Sequence, residues 1–65
     1  MKYTVHVVDE NHGLLEEYDF DKLSRAIAWI ENDLIDNGQK YTYRIFEWEN
    51  ELKFHIEWTA RLRFD

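Results

Sequence analysis

Between Asp19 and Gly38 the apolar residues Phe20, Leu23, Ile27, Ile30 and Leu34 recur at intervals of three and four. That spacing puts them on one face of a 3.6-residue helix and predicts a single amphipathic helix over residues 19–38. Asp19 or Asp21 can accept a backbone N–H of the first turn, and Asn37–Gly38 offers the left-handed position at which helices commonly stop. On either side the period changes to two. In residues 2–9, Tyr3, Val5 and Val7 alternate with Thr4, His6 and Val8, a strand pattern of β-branched and aromatic side chains. Residues 10–13, Glu-Asn-His-Gly, have turn chemistry and lead to a returning strand over residues 14–18. Residues 40–48 and 51–64 read as a second hairpin. In its long second arm every even residue from Leu52 to Phe64 is apolar and every odd one polar. With Glu49–Asn50 as a two-residue turn, Ile45 faces Phe54, Tyr43 faces Ile56 and Tyr41 faces Trp58, so the apolar sets share one face.

Strand, strand, helix, strand, strand predicts an α+β fold: one domain over residues 1–65, with a single four-stranded mixed sheet and the helix across one face. A right-handed crossover with the first and last strands as parallel central neighbours gives the order 2-1-4-3. In element order and lengths this resembles the β-grasp arrangement. The resemblance spans the whole chain and is topological; it implies a fold and no activity.

Sixty-five residues bury only about 60% of the surface that the unfolded chain exposes, so the core must be dense. Three Trp, four Tyr and four Phe supply the bulk, and without Cys neither a disulfide nor a thiolate metal site can staple the domain. No run approaches the ~20 apolar residues of a membrane span, and MKYTVHVVDE has no apolar signal core; the expectation is a cytoplasmic protein, in a host cell if the source is viral. The net charge is −6, unevenly spread. From Asp9 to Asp36 nine acidic residues face only Lys22 and Arg25, a net −7, whereas five basic and five acidic residues balance from Lys40 onward. Such a field repels phosphates and anionic lipid, which argues against direct nucleic-acid or membrane binding and for a basic protein partner.

Candidate chemistry is sparse. His6 and His55 alternate onto the open sheet face, where neighbouring first and fourth strands would bring them together, but two histidines without a third ligand make no zinc site; His12 falls in a turn. Ser24, the one serine, lies inside the helix with no base beside it. No catalytic residue, metal or cofactor is expected. Two surfaces stand out instead. Trp29 lies about 120° from the centre of the helix's apolar face, where it either covers the helix–sheet seam or anchors a partner within an acidic rim. Glu10, Glu16, Glu17, Arg25, Trp29, Asp33 and Asp36 form the candidate partner-binding set. Val8, Phe46 and Trp48 on the open face form a candidate homodimer surface.

The carboxylate-dense stretch VVDENHGLLEEYDF, with the small size and acidity of the chain, resembles phage-encoded inhibitors that occupy the nucleic-acid groove of host enzymes: anti-restriction, anti-CRISPR and uracil-DNA glycosylase inhibitor proteins. The Glu-Ser-Ile segment of one glycosylase-inhibitor family is absent. The resemblance implies a non-enzymatic inhibitor whose Glu10, Glu16, Glu17, Asp33 and Asp36 stand in for phosphates on a basic nucleic-acid enzyme; the alternative is an assembly protein that homodimerises through its open sheet face.

Overall fold

The computed structural model describes residues 2–65. The chain runs β1 (Tyr3–Val8), β2 (Leu14–Phe20), α1 (Leu23–Asn37), β3 (Thr42–Glu47), β4 (Asn50–Leu52), β5 (Phe54–Ile56) and β6 (Leu62–Phe64). The fold is α+β, with one helix, a four-stranded sheet in the order β2-β1-β3-β4 and a separate β5-β6 hairpin. Every pairing is antiparallel. The expected mixed sheet of order 2-1-4-3 is therefore corrected: β3, not the last strand, lies beside β1, and the β-grasp arrangement is not adopted. Alternation tells which side of a strand is apolar but not which strand is central. Here Val5 pairs with Ile45 and Val7 with Tyr43. All four are buried, and the two strands that carry them share the centre of the sheet.

The helix covers that centre. Ala26, Ile30 and Leu34 are buried against Val5, Val7, Tyr43 and Ile45, and Ala60 and Leu62 close the same core from the β5-β6 hairpin. Glu31 ties the hairpin to the helix by accepting the Leu62 N–H at 3.1 Å. The C-terminus of α1 ends as expected, with Gly38 left-handed at φ 67° and Gln39 N–H returning to the Leu34 carbonyl at 2.8 Å. The N-terminus does not. Its cap is Lys22, without a side-chain cap bond, because Asp19 and Phe20 belong to β2. The Asp19 carboxylate accepts the Thr4 hydroxyl at 2.9 Å and pairs with Lys2 at 3.2 Å, two contacts that hold it below the usual carboxylate range. Asp21 pairs instead with Arg25 at 3.7 Å.

The long strand expected over residues 51–64 breaks into β4, β5 and β6, interrupted at Lys53 and again at residues 57–61. In the second interruption Glu57 N–H reaches the Arg61 carbonyl and Ala60 N–H the Glu57 carbonyl, each at 2.9 Å, a closed turn with Ala60 at φ 62°. Trp58 rides on that turn and is 87% exposed, where a continuous strand would have turned it inward opposite Tyr41. The β3-β4 turn also differs. Glu47 pairs with Asn50 and Ile45 with Leu52, so the two turn residues are Trp48 and Glu49. Because the pairing slides by two residues, Ile45 and Leu52 still share the helix side.

Trp48 sits in this turn at φ 57°, a region where a bulky side chain is sterically disfavoured, and is 75% exposed. Trp48→Gly is expected to raise stability by about 1 kcal/mol, read as a gain of roughly 4–8 °C in thermal midpoint. An unchanged or lower midpoint would mean that the indole makes a stabilising contact that outweighs the backbone strain.

A candidate docking flank along the helix and strand β2

Strand β2 is an edge of the sheet, and its pairing with β1 decides where its carboxylates go. Glu16 faces Val7 and Tyr18 faces Val5, so both lie on the helix side; Glu17 faces His6 and Asp19 faces Thr4, on the open side. Across the seam, α1 presents Arg25, Trp29, Asp33 and Asp36 at spacings of four, four and three, one stripe along its surface. The Trp29 ring lies 4.7 Å from that of Tyr18, 6.1 Å from Phe20 and 6.4 Å edge-on from Tyr43. Trp29 thus fills the helix–sheet seam, and the more exposed aromatic beside it is Tyr18, at 38%.

The Tyr18 hydroxyl donates to Glu16 at 2.5 Å, and this bond together with the Glu16 and Asp33 charges lifts the phenol above its ordinary range. Asp33 accepts the Tyr43 hydroxyl and, at 3.0 Å, the Asn37 amide; the same amide also donates to Tyr43 at 2.9 Å. Asp36 is exposed one turn further on, and the last turn of α1 has no basic residue, so neither aspartate has a cation to offset it at the negative end of the helix dipole. The structure therefore brings Glu16, Trp29 and Asp33 together around Tyr18, with Arg25 and Asp36 on the same helical stripe.

Two members of the expected set lie elsewhere. Glu17 is on the open face, its carboxylate 3.0 Å from His6 Nε2. Glu10 is exposed in the β1-β2 turn, where it lines a shallow hollow of about 210 Å³ with Asp9, Leu15, Lys40 and Tyr41. That turn is stapled by Asp9 Oδ1, which accepts Asn11 N–H at 2.9 Å and Gly13 N–H at 2.8 Å.

The open face is less apolar than its sequence implies. Val8 and Trp48 stand at opposite ends, since Val8 pairs with Thr42 while Trp48 lies beyond the Tyr3–Glu47 pair. Phe46 is half-buried with its ring 4.8 Å from that of His6. Between them run polar contacts: Thr4 and Lys2 with Asp19, His6 with Glu17, and Arg44 with Glu51 at 3.7 Å. His6 and His55 do not meet; His55 lies on β5 opposite Arg63, 3.6 Å from Asp65. It is His12 that joins His6, across a hollow of about 280 Å³ with Val8, Leu14, Thr42 and Arg44. Among the described residues no three His, Cys, Asp or Glu side chains are placed to hold a metal ion, and no helix is long and apolar enough to cross a membrane.

Comparison with protein-family models, with curated proteins and with solved structures found no match to this chain. Tyr18 and Leu15 escaped the sequence reading because β2 carries its apolar residues on an exposed edge, a position that composition does not disclose. Trp58, expected on the apolar side opposite Tyr41, is exposed because unbroken alternation conceals the turn at residues 57–61.

The Tyr43 hydroxyl links the flank to the core. Burial, then its bond to Asp33, push the phenol well above the ordinary tyrosine range. An unfolded tyrosine ionises near pH 10, so above that pH the unfolded chain loses its proton first and stability falls as pH rises. Tyr43→Phe is expected to cost about 1–2 kcal/mol at neutral pH by removing a donor from a partly buried carboxylate. It should also flatten the alkaline decline. The check is the urea midpoint of both proteins at pH 8 and pH 11; parallel declines would contradict the assignment.

Proposed function

We propose that the chain is a non-enzymatic protein-binding module that docks through its helix–β2 flank on a basic protein surface. The surface whose chemistry matches it best is the nucleic-acid-binding groove of a DNA-processing or host-defence enzyme, which the module would occupy as a competitive inhibitor. One observation carries the reading: Glu16, Asp33 and the helix-terminal Asp36 lie along one side of the molecule around the half-exposed Tyr18–Trp29 pair, with Arg25 as the cation on that stripe. Carboxylates there would meet the lysines and arginines that otherwise hold phosphates, and the aromatic pair supplies apolar contact. The negative field would also speed encounter at low salt.

Homodimerisation through the open face has less support, because Val8, Phe46 and Trp48 do not converge and charged pairs lie between them. Immobilised protein exposed to a bacterial lysate and eluted with a salt gradient tests the proposal. The expected result is one nucleic-acid enzyme released as salt rises and not retained by a Glu16→Lys/Asp36→Lys variant. Retention that ignores both salt and these substitutions would overturn it.

A further inference from the structure

We propose that the outer edge of β2 takes up an extended, lysine- or arginine-bearing strand of the protein partner, which adds to the sheet beside β2. This rests on the docking reading above and specifies its geometry. Strand β2 is the longest in the chain, spans Leu14–Phe20, and has only β1 as a neighbour among the described residues. Its second edge therefore presents a row of N–H and C=O groups free to pair with an incoming strand. A bulge at Val7/Val8 ends the regular register toward Leu14, leaving Glu16 to Phe20 as the evenly spaced segment.

The charges select the occupant. Glu16 projects to the helix side, Glu17 and Asp19 to the open side, so a strand lying along this edge meets carboxylates on both of its faces. A second copy is the occupant they oppose. In every antiparallel register from Glu16 against Glu16 through Glu17 against Asp19, at least one carboxylate falls directly opposite another, and like charges in that position destabilise the pair. A strand with cations at those positions turns each clash into an attractive pair. The same residues thus discourage self-assembly and favour a basic partner strand.

The test uses the full chain and a synthetic peptide containing Lys-Thr-Lys-Lys flanked by threonines, which in antiparallel pairing sets a lysine opposite each of Asp19, Glu17 and Glu16, followed by amide hydrogen exchange and NMR shifts at low salt. Exchange of every second amide of β2 is expected to slow at least tenfold on saturation, while the β4 edge does not respond. A peptide of the same charge, N-methylated at the positions that would bond to the edge, is expected to bind at least tenfold more weakly. Equal binding of the methylated peptide, or shifts confined to the helical stripe from Trp29 to Asp36 without slowing in β2, would overturn strand addition and leave flank docking standing. Absence of binding would also overturn strand addition; salt-labile capture of a basic enzyme, measured separately, decides the docking reading by itself.

Discussion

Replacing Ile30 with alanine is expected to lower the thermal midpoint by roughly 10–30 °C. Ile30 is fully buried at the centre of the helix, against the Val5–Ile45 pair at the centre of the sheet. Removing its branched side chain there costs about 2–5 kcal/mol, part lost burial and part cavity. A domain of this length has only about 3–10 kcal/mol to lose, at 0.05–0.15 kcal/mol per residue, so one substitution takes away anything from about a fifth of the total to all of it. Ile35 is the control. It lies five residues on, 68% exposed, and Ile35→Ala should change stability by no more than about 0.5 kcal/mol. Comparable losses at the two positions, by calorimetry or urea unfolding, would mean that the helix buries a different face.

The second large effect concerns binding rather than folding. Reversing Glu16 and Asp36 to lysine takes the net charge from −6 to −2 and puts two cations on the proposed docking flank. Against a basic partner the pair is expected to cost about 3 kcal/mol, on the order of a 100-fold loss of affinity, much of it in the association rate at low salt. The same change should leave the fold intact. Glu16 accepts one exposed bond from Tyr18, and Asp36 opposes the helix dipole, so lysine at position 36 is expected to add about 0.3–1 kcal/mol of helix stability. A variant that binds worse while melting no lower separates recognition from folding. Surface-plasmon kinetics and a melting curve on the same samples read both. Unchanged affinity would remove the flank from the interface.

The helix was legible because its apolar face repeats every three or four residues and Gly38 marks its end. Its start was not: Asp19 and Asp21 have the chemistry of caps, but Thr4 and Lys2, distant in sequence, claim Asp19, and Phe20 pairs with Tyr3. Strand β1 was legible from alternation alone. The same signal failed in residues 51–64, because a period of two fixes the sides of a strand without requiring that the strand continue through Lys53 or past Glu57. Which strand occupies the sheet's centre depends on how buried pairs such as Val5–Ile45 fit beneath the helix, a tertiary matter. The acidic character of the candidate site was evident in composition, and its Arg25–Trp29–Asp33 stripe in helical spacing. Its outline was not, since Glu16 and Glu17 are adjacent in sequence and face opposite sides of the sheet.

The most direct test of acidic docking is competition. With the captured partner held at fixed concentration, binding of the labelled protein is measured against increasing duplex oligonucleotide at low salt. Displacement to completion, with an apparent affinity that falls in proportion to the oligonucleotide bound, is the result expected of a protein occupying a nucleic-acid groove. Simultaneous binding of oligonucleotide and protein would place the interface elsewhere on the partner and contradict the proposed mode of inhibition.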